Sequence, residues 1–169
     1  LSRGLGDVYK RQAVAPIGTI GILAQSTSTY TSTASMYISA TRWDDSVYED
    51  FVSTRQESPY TDIHAFSFSA DASELTYVAS GRVIGTLLNS YSMSEYDGVL
   101  RVATTSFDYD FGGGQDNGVH ILKVKDAELI EIGAVNGMGR GETIQGVRFD
   151  GPRGYVVTFR QVDPLYVLD

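Results

Sequence analysis

The 169-residue sequence predicts an all-β fold in which a unit of four short antiparallel strands recurs. Three observations predict it. The apolar runs are short, rich in β-branched and aromatic residues, and separated by Gly, Asp, Ser or Pro. The 18 Gly and 11 Tyr suit strands and turns, and no long stretch keeps a helical period. Finally, the runs repeat in register.

The strand-like runs, in chain order, are Ile17–Ala24, Met36–Thr41, Ile63–Ser69, Leu75–Ser80, Val99–Thr105, Val119–Val124, Leu129–Val135, Ile144–Phe149, Tyr155–Phe159 and Leu165–Leu168. Alternation with a period of two is clearest in HAFSFS from His64 and VHILKV from Val119. The strands MYISAT, VLRVAT and YVVTFR begin at Met36, Val99 and Tyr155, 63 and 56 residues apart. The strand that follows each begins at Ile63, Val119 and Leu165, and the first two of these are again 56 apart. A further match joins Leu75 to Leu129, 54 residues on. A preceding strand recurs too: STYTSTAS before Met36, TLLNSYSMSEYDG before Val99 and TIQGVRFDGPRG before Tyr155. The last two read as ending in turns closed by Gly98 and Gly154.

A four-stranded antiparallel unit repeated at this spacing is the pattern of a β-propeller blade. The period is stretched by two apparent insertions, Asp44–Asp62 and the loop DYDFGGGQDN, Asp108–Asn117. Residues 13–169 hold about two and a half to three blades, whereas about 4–8 close a propeller. The expectation is a partial β-propeller, a section whose remaining blades lie elsewhere, with uncovered faces that associate.

Charge and composition restrict the function. The formal charge is −8 with a pI near 4.6, which argues against a nucleic-acid partner. The absence of cysteine removes disulfides, thiol catalysis and thiolate metal sites, and two histidines are too few for a multi-His centre. No run approaches the ~18 apolar residues of a spanning helix, so no membrane insertion is expected.

Residues 1–12, LSRGLGDVYKRQ, differ from the rest. They carry Arg3, Lys10 and Arg11 against Asp7, which leaves −10 on residues 13–169. They have neither strand alternation nor a signal-peptide core. They resemble translated adapter read-through at the end of a metagenomic gene fragment, and are expected to stand outside the fold.

Several strings carry a resemblance: SMSEYDGVLRVATT (92–105), NGVHILKV (117–124), TDIHAF (61–66), YVASGRVIGTLLN (77–89) and VRFDGPRGYVVTFRQVDPLYVLD (147–169). Together they resemble the secreted C-terminal β-propeller family of archaea and bacteria, distantly related to WD40 repeats. The resemblance implies an exported protein, extracellular or at the cell surface. It supplies no catalytic residues.

Four groups of residues invite a site. His64 and His120 occupy the same place in successive units, so the repeat gives them structural roles. Asp108, Asp110, Asp116 and Asn117 flank three glycines and offer oxygen ligands that suit calcium, although the spacing and distal Glu of an EF-hand are missing. Trp43, Asp44, Asp45 and Tyr48, with Glu49, Asp50 and Glu57, form an acidic and aromatic segment. It reads as a solvated loop, as a sugar-stacking surface, or as a carboxylate pair. Arg160, Gln161 and Asp163 follow a matched strand; they either clamp the turn before Pro164 or line a binding funnel. The strings GGGQDNG (112–118) and NGMGRG (136–141) lack the ending of a phosphate loop and read as tight turns.

Two function classes follow. The first is an exported, non-enzymatic binding module for a protein or glycan. The alternative is an exported polysaccharide hydrolase or lyase with its site in the propeller channel. No cofactor is expected beyond the calcium reading.

Overall fold

The computed structural model describes residues 27–43, 58–71, 73–108, 114–159 and 165–169. Among these the chain is all-β, with eleven strands and one short 3-10 turn, Ser90–Ser92. The strands are β1 (Thr27–Thr31), β2 (Ser35–Arg42), β3 (Tyr60–Phe68), β4 (Leu75–Ile84), β5 (Met93–Tyr96) and β6 (Val99–Asp108). They continue as β7 (Gly114–Lys125), β8 (Glu128–Met138), β9 (Ile144–Asp150), β10 (Arg153–Thr158) and β11 (Leu165–Leu168). The expected strand Ile17–Ala24 and leader 1–12 lie outside the described residues.

Three successive antiparallel meanders result. β1–β4 form the first blade, β5–β8 the second, and β9–β11 a three-stranded third. This is the partial propeller expected from the repeat. The strands matched at Met36, Val99 and Tyr155 are β2, β6 and β10, the second strand of each blade. The first two blades meet edge to edge at one parallel pair, Ser80 opposite Glu128, with the Ser80 N–H donating to the Ala127 carbonyl at 3.4 Å.

Strand alternation gives each blade two faces, and both faces of the second blade are covered. Tyr37, Ile63, Ala65, Ala79 and Val83 of the first blade pack on Met93, Leu100, Val102, Leu122 and Leu129 of the second. The second blade's other face, with Ala103, Val119 and Met138, packs on Ile144 and Val156 of the third. The Val, Leu, Ile and Met side chains among them contribute about 1.5–3 kcal/mol each when fully buried, so the seams hold the blades together.

One buried cation crosses the second seam. Arg101 Nη1 donates to the carbonyls of Gly151 and Pro152 at 2.9 and 3.1 Å, and Nη2 donates to Ser94 Oγ at 2.9 Å. Its guanidinium carbon lies 4.7 Å from the Phe149 ring centre and 5.0 Å from that of Tyr96. Burial pushes the Arg101 pKa down.

Two turn assignments change. Gly98 does close the β5–β6 turn, at φ +73°. In the next unit the left-handed turn residue is Gly151, at φ +53°, not Gly154. Gly154 is buried in β10, where an added Cβ would lie 3.0 Å from the Phe149 ring. The segment Asp108–Asn117 is also less of a loop than its composition suggests. Gly114–Asn117 belong to β7 and pair with Asp108–Thr105 of β6. GGGQDNG is therefore largely strand where described, whereas the turn in NGMGRG is confined to Gly139–Gly141. Polar residues entered a strand here because Asn117 is satisfied inside it. Its Oδ1 accepts from Thr105 Oγ1 at 2.7 Å, and its Nδ2 donates to the Met138 and Glu142 carbonyls at 2.7 and 3.0 Å.

Candidate functional site

The edge-to-edge junction of the first two blades opens a cleft of about 430 Å³. Among the described residues it is lined by Asp62, His64, Ser80, Arg82, Glu128 and Leu129 together with Gly81. The strands approach so closely at its floor that a Cβ on Gly81 would lie 2.3 Å from the Leu129 carbonyl oxygen. Only glycine permits that approach without displacing a strand.

Strand register assembles the polar wall. Asp62 on β3 faces Arg82 on β4, and Arg42 lies one alternate position along β2 from Asp62's partner Ala40. Arg42 Nε contacts one Asp62 oxygen at 2.7 Å and Arg82 Nε the other at 2.8 Å. Arg82 also lies over the Tyr60 ring, 3.7 Å from its centre. His64 Nδ1 is 3.2 Å from the Tyr77 hydroxyl, and the Tyr77 ring stands edge-on to Phe66. Both oxygens of Asp62 are thus occupied by guanidinium partners. Glu128 supplies the second carboxylate from the facing blade.

His120 has a different setting at the matching position. Its Nε2 lies 3.1 Å from Thr104 Oγ1, and its Nδ1 lies 2.7 Å from Glu131 Oε2. That is the connectivity of nucleophile, base and orienting carboxylate. Thr104, however, is only 1% exposed, so its hydroxyl is closed to a substrate carbonyl. The three groups instead tie β6, β7 and β8 together. Both histidines bond within their own blade, each on its third strand.

Of the other sequence candidates, Trp43, Asp108 and Asp116 fall among the described residues. Trp43 follows β2 and is exposed, while Asp44, Asp45 and Tyr48 lie outside the described residues. Arg160, Gln161 and Asp163 also lie outside them, as does Asp110. Asp108 ends β6, and Asp116 in β7 accepts the Gly137 N–H through Oδ2 at 3.2 Å. Among the described residues no three His, Cys, Asp or Glu side chains gather closely enough to hold a metal ion. No helix among them is long and apolar enough to cross a membrane.

The cleft escaped the sequence reading. Its signal was register: Asp62 lies 20 residues from both Arg42 and Arg82, and folding the two hairpins places all three side by side.

Residues 11–169 match the beta propeller domain family. The chain belongs to that family. Two archaeal relatives, both named only as uncharacterized proteins, are similar to it. One, from Methanocaldococcus jannaschii, is 46% identical over 92 residues, covering 54% of this chain and 14% of the relative. Another, from Archaeoglobus fulgidus, is 42% identical over 114 residues, covering 68% of this chain and 16% of the relative. The chain therefore spans only a small part of the curated relatives it matches.

Proposed function

We propose that this propeller section serves as a binding module of an exported or cell-surface protein and takes a protein or glycan ligand without turning it over. The observation that carries the reading is the cleft between the first two blades. Its wall combines donors and acceptors held by strands rather than by loops, the arrangement that gives a site fixed geometry. The commitment of Asp62 to Arg42 and Arg82 favours recognition over the paired acid and base of glycoside hydrolysis. Export rests on the resemblance, and the acidic, cysteine-free composition agrees with it.

The test is a glycan array and a peptide library screened with the chain and with Ser80→Tyr, whose ring fills the cleft. Retained ligand without released product, lost in Ser80→Tyr at unchanged circular dichroism, supports the module. Sustained release of reducing ends from a polysaccharide would replace it with the hydrolase reading. Binding that Ser80→Tyr leaves intact would remove the cleft from the argument.

A further inference from the structure

The middle blade carries two Asn-Gly pairs, Asn117-Gly118 and Asn136-Gly137, and the structure treats them in opposite ways. Such a pair rearranges when the glycine nitrogen attacks the asparagine side-chain carbonyl. Ammonia leaves, and water opens the resulting ring to isoaspartate or aspartate. The step needs a carboxamide free to turn toward that nitrogen, water, and an acceptor for the amide proton.

Asn117 lacks the first two. It is 0% exposed, its Oδ1 accepts from Thr105 Oγ1, and its Nδ2 donates to the Met138 and Glu142 carbonyls. Turning its carboxamide breaks all of these bonds at once. Asn136 is exposed, and its carboxamide makes no hydrogen bond among the described residues. Register on β7 and β8 passes from Val119 opposite Val135 to Asn117 opposite Met138. Asn136 and Gly137 together therefore oppose the single residue Gly118, which makes them a β-bulge, where the ladder is interrupted. Gly137 takes φ +84° there, and its N–H donates to Asp116 Oδ2 at 3.2 Å. The Asn136 carboxamide lies over Gly118, where a Cβ would sit 2.2 Å from Asn136 Oδ1.

We propose that Asn136 is a self-modification site, converted to isoaspartate and aspartate by Gly137 with Asp116 as the proton acceptor. The Gly137 nitrogen bonds to Asn136 Cγ while its proton passes to Asp116 Oδ2, which lies within the reach of a general base. The Cγ–Nδ2 bond then breaks, and Asp116 returns the proton to the departing nitrogen, which leaves as ammonia. Water adds to one of the two ring carbonyls and restores an unbroken chain. The other oxygen of Asp116, Oδ1, is buried without a partner, so Gly137 is the carboxylate's one donor among the described residues. Isoaspartate inserts a backbone carbon into the bulge and adds a charge beside Asp116. Met138 lies two residues on, with its carbonyl bonded to Asn117 and its side chain in the second seam. The modification therefore loosens the contact between the second and third blades as the protein ages.

Trypsin separates the two pairs: residues 102–123 hold Asn117 and residues 126–140 hold Asn136. The chain is aged at neutral pH in heavy-oxygen water, either folded or in urea. Both peptides are then read by mass spectrometry and by isoaspartate methyltransferase labelling. The expected result is heavy oxygen and isoaspartate at Asn136 in the folded chain, and at Asn117 only in urea. Asp116→Asn keeps an acceptor but not the base, and should slow the folded conversion at an unchanged circular dichroism spectrum without slowing it in urea. Asp116→Glu should retain it. An Asn136 peptide that stays intact in the folded chain, or converts no faster than Asn117, would overturn the proposal; this comparison needs no variant and stands if one misfolds. Undiminished conversion in folded Asp116→Asn would overturn the assignment of the proton acceptor.

Discussion

Replacing Arg101 by Met removes the charge that bridges the second and third blades while keeping an unbranched apolar stem. Three donor contacts disappear: those to the Gly151 and Pro152 carbonyls and to Ser94 Oγ. Hydrogen bonds from a charged group contribute roughly 1.5–3 kcal/mol each. The gross loss is reduced on two counts. Gly151 and Pro152 lie in an exposed turn where water can replace the guanidinium, and removing the cation also removes its burial cost, the same cost that lowers its pKa. The ring contacts with Phe149 and Tyr96 contribute about 0.5–2 kcal/mol. The expected net loss is about 2–4 kcal/mol, a fall in Tm on the order of 5–15 °C for a chain of this size. Calorimetry or circular dichroism melting reads it; fluorescence is a poor reporter because the single tryptophan, Trp43, is exposed. Amide exchange should accelerate in β9 and β10 more than in β2 and β3. Arg101→Lys should fall between, since one ammonium does not span both carbonyls and Ser94. A loss below about 0.5 kcal/mol, or unchanged exchange in β9 and β10, would show that apolar packing alone holds this seam.

Three further outcomes follow from the same geometry. Gly81→Ala drives a methyl into the Leu129 carbonyl and should cost about 1–3 kcal/mol, with chemical shifts moving in both β4 and β8. Asn117→Leu leaves the Met138 and Glu142 carbonyls without their donor and should cost about 2–4 kcal/mol in urea unfolding, with the loss centred on β7 and β8. Burial pushes the Tyr37 pKa up to about 12, so the folded chain keeps this proton at pH values where an unfolded tyrosine has lost it. The stability this contributes is complete below pH ~10 and declines as the pH rises toward 12. Tyrosinate absorbance at 295 nm should show a late-titrating ring that Tyr37→Phe removes.

The blades were legible because a period of two and a longer repeat reinforce each other. MYISAT, VLRVAT and YVVTFR announce the second strand of each blade even though their polar residues differ. The third blade's turn was misplaced because TIQGVRFDGPRG contains two later glycines, and only the backbone at Gly151 takes the left-handed conformation. Gln115–Asn117 read as loop because three glycines precede these three polar residues and Gly118 follows, and nothing local reveals that Asn117 satisfies carbonyls of the following strand and turn. Arg101 was silent for a similar reason. A lone arginine in an apolar strand normally points to water, and its carbonyl partners lie 50 residues further on. The cleft is a product of long-range register, so its residues carry no shared local pattern.

The single paired position between the first two ladders, Ser80 with Glu128, has an evolutionary consequence. Among the described residues, the strands of each blade pair with one another, and apart from this position and the reciprocal Thr86–Thr105 backbone bonds in the link between them, the first two blades meet through side chains. A gene segment encoding one whole blade can therefore be duplicated or deleted without stranding the amides of the blades beside it. Selection then acts on a few seam residues, and blade number can change more readily than blade structure.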